Sequence, residues 1–300
     1  MNHASTDAIL HPELLPFTAA QLMEHFAPVP GDSGSDPERH LAAWRARISQ
    51  AATKPDDFLD RDETMWTAGS LVAAQRSDDP AATWSSLLTP VFGPRPPIEG
   101  LDTWQECVAG DLRLFLEVGL PSPRRYQEFL RARLRARHPL HRRVAIGEAQ
   151  TTRPLEGRTH LDALLLNRSN GFAVHFESKV LSDVDTKITF DALRNQLARN
   201  LDCMAEAPRP GDGPLSDRDP ERSLFALLTP ELFRRHWQSR LYGHLLREYQ
   251  TDAAALQRDL PHRSGVECAS LSRRIGWLSF EDIAAAVPGA CTWLEPVLAG

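Results

Sequence analysis

An α/β fold, with a mixed β-sheet flanked by helices, is what the sequence predicts. Three observations carry that expectation. Short apolar runs of strand length occur at THLDALLLN (159–167), FAVHFESKVL (172–181) and SLFALLTP (223–230). An Asn170-Gly171 step separates the first two, a dipeptide suited to the positive φ of a tight turn. Helical stretches alternate with these strands without a strict βαβ repeat, so the sheet is expected to be mixed, a hairpin preceding a crossover helix.

The elements follow in order. Residues 1–100 are rich in Pro, Asp, Ser and Ala and read as a mainly helical N-terminal region. In DPERHLAAWRARISQAA (36–52), Leu41, Trp44 and Ile48 recur at helical spacing, and ETMWTAGSLVAAQR (63–76) reads as a second helix. LLTPVFGPRPPIEG (87–100) holds four prolines and two glycines and is expected to be a linker or domain edge. A second domain then spans 101–300. Its first stretch, LDTWQECVAGDLRLFLEVG (101–119), reads as a helix. SPRRYQEFLRARLRAR (122–137) reads as another, with Ser122 as N-cap. HRRVAIGEAQ (141–150) is a strand candidate ahead of the 159–181 hairpin. ITFDALRNQLARNLDCMAEA (188–207) has a buried stripe of Phe190, Leu193, Leu197, Leu201 and Met204. Helix continues through 231–250, and RRIGWLSF (273–280) and FEDIAAAV (280–287) supply a last strand and helix.

Composition narrows the function classes. The chain has 300 residues, is 42% hydrophobic and carries a net charge of −6; its mean hydropathy is −0.36. No apolar run is long enough to span a bilayer, and the N-terminus lacks the basic and apolar regions of a secretory signal, so a cytoplasmic protein is expected. Cys107, Cys203, Cys268 and Cys291 lie far apart without a CxxC pair, which favours free thiols over a zinc site. Eight arginines fall within 124–143, and Lys54, Lys179 and Lys187 are the only lysines. Such clustered positive charge in an acidic protein is either a local phosphate-binding face or a solvated helix side. Trp44, Trp66, Trp84 and Trp104 read as core anchors.

One constellation carries chemistry. Strand alternation puts His175, Glu177 and Lys179 on one face, and the hairpin brings Asp162 beside them if the register permits. Two converging carboxylates suit Mg²⁺, which keeps several waters and takes its other ligands from carboxylates and phosphate; a nearby lysine can orient a water or balance developing charge. Asp162, fourteen intervening residues and then Glu177-Ser178-Lys179 on a strand resembles the core motif of the PD-(D/E)xK, or restriction-endonuclease-like, nuclease superfamily. The element order over roughly 120–230 is similar as well.

The resemblance implies a restriction-endonuclease-like core and a hydrolase acting on phosphodiester bonds. Asp162 and Glu177 would ligate Mg²⁺ (Mn²⁺ as substitute), the Ser178 carbonyl would add a ligand, and Lys179 would assist the nucleophilic water. Gln196 resembles the glutamine that several branches place beside the lysine, with Asn200 one turn further. Glu148 and Glu128 are alternatives for an extra acidic ligand. Leu161 stands where the motif's name has proline, and Asn200 where one branch has tyrosine. The expected partner is nucleic acid, DNA before RNA, with endonuclease preferred over exonuclease, roles in restriction, defence or repair, and a homodimer suited to cutting both strands. No membrane partner is expected. The alternative is a catalytically inactive nuclease-like module that binds nucleic acid or a partner protein.

Overall fold

Five strands form one mixed sheet in the computed structural model, which describes residues 9–12, 14–26, 36–51, 62–135, 156–184, 194–209 and 212–294. A two-stranded antiparallel hairpin, β1 (Ile9–His11) and β2 (Leu15–Thr18), precedes it. The sheet runs in the order β3 (Leu112–Leu120), β4 (Thr159–Asn167), β5 (Ala173–Ser178), β6 (Ser223–Thr229), β7 (Ile275–Ser279). Its first three strands are antiparallel, and β5, β6 and β7 are parallel. The helices are α1 (Ala19–Met23), α2 (Pro37–Ala51), α3 (Glu63–Gln75), α4 (Pro80–Phe92), α5 (Trp104–Val108), α6 (Arg124–Arg135), α7 (Gln196–Met204), α8 (Glu231–Arg235), α9 (Leu241–Thr251), α10 (Ala253–Asp259), α11 (Gly265–Ser272) and α12 (Phe280–Ala286).

Both faces of the sheet are covered. Leu114, Leu116, Ala163, Leu165, Val174, Phe176, Ala226 and Leu278 pack with α3, α4 and α12 in one apolar core that includes Trp84 and Trp104. Phe225, Leu227, Ile275 and Trp277 face α7 and α9 to α11. The parallel half is therefore buried on both sides, which is why its strands read as continuous apolar runs rather than alternating ones. At Gly276 of β7 the helix α4 comes so close that an added Cβ would lie 2.3 Å from Val91 Cγ1. The N-terminal helices thus form one layer of the sheet's own core.

Several expectations change. Residues 101–119 are not one helix: α5 is opened by a Thr103/Glu106 capping box and ends at Val108, Gly110 turns at φ 110°, and β3 follows. LRLFLEVGL is apolar enough for either structure, and the glycine decides it by ending the helix. The supposed linker at 87–100 is helical as far as Phe92, with Pro90 inside α4, and Gly93 at φ 96° is the terminator. Ser122 does not serve as the cap of α6, because its hydroxyl donates to Glu156 Oε2 at 2.5 Å. The 188–207 helix starts only at Gln196, after the extended N-cap Asn195; Phe190 and Leu193 lie outside the described residues. So does the strand candidate at 141–150. The 231–250 helix is broken by a 3₁₀ turn at Trp237–Ser239 and the extended Arg240. The Arg168–Gly171 turn is as expected, with Gly171 at φ 79°.

The outer edge of β3 is covered too. His25 Nδ1 lies 3.0 Å from the Leu114 carbonyl, and Leu116 N–H donates to the His25 carbonyl at 2.7 Å. Covering an edge in this way removes a row of unpaired backbone groups.

Candidate active site

The site lies where β4 and β5 part. Their pairing joins Leu166 to Ala173 and ends at Ala163 with Phe176. The next residues on each strand, Asp162 and Glu177, are therefore neighbours across the fork, the register the motif requires. Beyond that point β5 pairs only with β6, through Ser178 opposite Leu228. The Ser178 N–H is left without a strand partner, and the Asp162 carboxylate accepts it at 2.6 Å. A buried N–H must be satisfied, so this contact both closes the fork and aims Asp162 at β5.

Glu177 is 1% exposed and surrounded by donors. Its Oε1 accepts from Lys179 Nζ at 2.8 Å and Gln196 Nε2 at 2.5 Å, and its Oε2 from Asn200 Nδ2 at 2.6 Å. Gln196 and Asn200 are one turn apart on α7, which explains why both reach the same carboxylate. Thr159, at the start of β4, donates to Asn200 Oδ1 at 3.1 Å and fixes which end of the amide points at Glu177.

The orientation of α7 is set by a second buried group. Asp202 accepts from Arg194 at 2.6 Å and Arg263 at 2.5 Å and lies 2.9 Å from His262 Nε2; Arg194 also meets Glu156 at 3.1 Å and stacks on Tyr126. Burial raises the cost of the Asp202 charge, yet the two guanidiniums and His262 prevail and hold its carboxyl far below the usual range.

Electrostatics at the fork run the other way. Burial, and then the charge of Glu177, push the Asp162 carboxyl well above its ordinary value, against the pull of Lys179 and the Ser178 N–H. Burial also pushes Glu177 up, opposed by Lys179 and Asn200. For Lys179 burial acts downward, but Glu177, Glu63 and Asp162 outweigh it, and the ammonium is held above its ordinary value. It stays charged at neutral pH.

Two acids were not singled out from the sequence. Glu63, the first residue of α3, accepts from Val180 N–H at 2.9 Å and Ser182 Oγ at 2.7 Å, anchoring the chain just past Lys179. Glu117 lies across from Asp162 on β3, between the pairs Leu116–Ala163 and Val118–Leu161, and adopts a left-handed φ of 54°. That conformation costs a non-glycine residue about 1–3 kcal/mol. The Asp62 cap of α3 was a local signal for Glu63, but nothing local tied either acid to a strand so far away in sequence.

The other sequence candidates separate. Ser178 enters the site through its backbone N–H, and its hydroxyl is buried without a hydrogen-bond partner among the described residues. His160 is exposed and His175 is fully buried, neither ring nitrogen finding a partner among those residues. Glu128 is exposed on α6 and lines a different cavity. Glu148 lies outside the described residues. All four cysteines are free and buried.

The donor set suits a hard cation. Asp162 and Glu177 would be adjacent oxygen ligands; burial raises both carboxyls, and for Asp162 the charge of Glu177 adds to it, a penalty that a cation would relieve. Among the described residues no three His, Cys, Asp or Glu side chains group closely enough to hold a metal ion by themselves. Water and substrate phosphate would have to complete the shell, as is usual for Mg²⁺.

No protein-family model, curated protein or solved structure matches the chain. Among the described residues no helix is long and apolar enough to cross a membrane.

Proposed function

We propose that this protein is a divalent-metal-dependent nuclease of the PD-(D/E)xK kind, hydrolysing phosphodiester bonds in DNA in preference to RNA and acting as an endonuclease. The observation that carries the reading is the fork, where Asp162 sits beside Glu177 and Lys179 with Gln196 and Asn200 behind. The sheet supports it: three antiparallel strands, a crossover helix and a parallel fourth strand are compatible with a restriction-endonuclease-like core.

Asp162 and Glu177 would hold Mg²⁺ or Mn²⁺, with the Ser178 carbonyl as a further oxygen. When bound, the metal polarises the phosphoryl group and makes its bound water acidic. Lys179, held as an ammonium beside Glu177, Glu63 and Asp162, would orient the attacking water or balance negative charge developing on the phosphoryl oxygens. Gln196 and Asn200 orient the Glu177 carboxylate, leaving it one arrangement in which to meet a cation. A homodimer would place two such sites on opposite strands of a duplex.

The test is cleavage. Wild-type protein with Mg²⁺ or Mn²⁺ is expected to degrade single- or double-stranded DNA, and the Lys179→Ala variant to lose that activity. Equal degradation by both proteins would reject the assignment.

A second reading has one observation in its favour. Both Glu177 oxygens already accept hydrogen bonds, so the site is satisfied as it stands. On that reading the fold is an inactive nuclease-like module that binds nucleic acid or a partner protein.

A further inference from the structure

Between Glu231 and Glu248 the chain carries four arginines, two histidines and no acid. This stretch begins where β6 ends, and β5, β6 and β7 run parallel, so it leaves the sheet at the same carboxyl edge as the fork. In open α/β sheets that edge is where ligands bind. The four arginines divide into two kinds. Arg234 is paired with Glu231 and with Asp282, the latter at 2.6 Å, and Arg235 with Glu231 at 3.2 Å. Arg240 and Arg247 have no ion-pair partner among the described residues and lie over aromatic rings instead. Arg240 is 4.6 Å from the Phe233 centroid and beside the Tyr242 hydroxyl; Arg247 is 5.9 Å from the Trp237 centroid. Two neighbouring acids are engaged elsewhere: Glu248 meets Arg258 at 3.3 Å, and Asp183 accepts the N–H groups of Leu241 and Tyr242 at 2.8 and 3.1 Å. A ring beneath a guanidinium holds the charge in place without cancelling it.

The Trp237 ring is held as well. It stands half-exposed in the 3₁₀ turn between α8 and α9, edge-on to His244 with centroids 5.1 Å apart, and His244 Nε2 lies 3.2 Å from the Gln238 carbonyl. Gly243 lets the turn press against α9, since an added Cβ would overlap the Trp237 carbonyl. His236, Leu241, His244 and Arg247 are exposed around the ring. A fixed aromatic face flanked by arginines free of ion pairs is an arrangement that takes the bases and phosphates of a single strand.

This surface is tied to the fork. Asp183, which accepts the first two N–H groups of α9, is four residues beyond Lys179 and within about 14 Å of it even at full extension. Glu63 holds the path between them through Val180 and Ser182. That reach corresponds to roughly four nucleotides of one DNA strand.

We infer that the surface formed by Trp237, Arg240 and Arg247 is a single-strand binding platform. Trp237 stacks a base, and the two arginines hold backbone phosphates a few nucleotides from the bond cleaved at Asp162 and Glu177. The inference rests on the nuclease reading for its ligand, but it makes its own prediction about binding. Fluorescence anisotropy of a fluorescein-labelled single-stranded DNA 15-mer, in EDTA so that cleavage is silent, measures affinity against salt. Wild-type protein is expected to bind. The Arg240→Gln/Arg247→Gln double variant is expected to bind more weakly, its log–log salt slope shallower by about 1.4, two phosphate contacts at about 0.7 each. Trp237→Leu keeps an apolar side chain in the turn and is expected to bind about 5- to 150-fold more weakly with its slope unchanged, whereas Trp237→Phe restores part of the affinity. A duplex of the same sequence, whose bases are already stacked, is expected to bind without dependence on Trp237. Circular dichroism confirms folding of each variant.

Unchanged affinity and slope in the arginine double variant would overturn the inference. So would a Trp237→Leu loss that is equal on duplex and single strand, or a wild-type protein that fails to bind at about 50 mM salt. The two claims fail separately. Lys179→Ala is expected to lose cleavage and keep this binding. If wild type never cleaves but binding still depends on Trp237, Arg240 and Arg247, the platform stands and the nuclease reading falls; cleavage with binding indifferent to all three would do the reverse.

Discussion

The Asp162 carboxylate reaches across the end of the β4–β5 pairing and accepts the Ser178 N–H at 2.6 Å. This one contact does two jobs. It satisfies a backbone donor that the diverging strands would leave buried and empty, and it holds Asp162 against Glu177 despite their mutual repulsion. An Asp162→Asn side chain can still accept that N–H through its carbonyl oxygen, whereas Asp162→Ala cannot. Asp162→Ala is therefore expected to be less stable than Asp162→Asn by about 1–3 kcal/mol in urea denaturation.

Lys179 is the counter-charge for three nearby carboxylates, Glu177, Glu63 and Asp162. Replacing it by alanine leaves Glu177 buried without its ion partner, which costs about 3–5 kcal/mol if that carboxylate stays charged. Protonating Glu177 relieves part of this, so the loss should be smaller at acid pH. Thermal unfolding of Lys179→Ala at pH 5.5 and pH 8 is expected to show the larger deficit at pH 8. In the wild type the raised Lys179 pKa contributes stability below its unfolded value of about 10.4, lost as pH rises through the folded value.

Asn200 links β4 to Glu177. Asn200→Leu removes a donor from Glu177 Oε2 and an acceptor from Thr159, and is expected to cost about 1–3 kcal/mol. Because Asn200 lowers the Glu177 carboxyl, its loss should raise that group further, so that metal binding requires higher pH. Metal affinity measured across pH 5 to 8 checks this: the variant's curve should lie to the alkaline side of wild type, and superimposable curves would deny Asn200 that role.

Asp202 is the stability hub rather than a chemical group. Its folded pKa is depressed, so the stability it contributes is present above the unfolded value of about 3.9 and is lost as pH falls toward the folded one. Asp202→Asn leaves Arg194 and Arg263 short of a charge and is expected to destabilise by about 3–5 kcal/mol. The variant's urea midpoint should also change less between pH 6 and pH 3 than that of wild type.

Gly276 tests the packing of the N-terminal helices on the sheet. A methyl group there meets Val91 and Phe92 of α4 closer than side chains normally approach, and overpacking of this kind costs about 1–3 kcal/mol. Gly276→Ala is expected to lower the unfolding midpoint accordingly.

What was legible in the sequence was whatever depended on short range. The Asn-Gly turn set the β4–β5 register, and that register alone places Asp162 beside Glu177. The turn-by-turn spacing of Gln196 and Asn200 already put both on one helix face. Strand and helix were confused at 101–119, where an apolar run fits either period until Gly110 is given its weight. Glu63 and Glu117 escaped notice because they reach the fork through tertiary packing, from elements whose own patterns describe only a helix start and a strand. The arginine run at 124–143 was visible as charge, but the cavity that gathers Arg124 and Arg131 with Arg158 and Arg209 exists only once β3, β4 and α6 are assembled.

The most direct test of the central claim is a calorimetric titration of Mn²⁺ into the wild-type protein, Asp162→Asn and Glu177→Gln. Wild-type protein is expected to bind, and both substitutions to abolish binding or weaken it at least tenfold, with each variant still folded. Binding that survives both substitutions, or its absence from wild type, would contradict a metal site at the fork and leave the binding-module reading in its place.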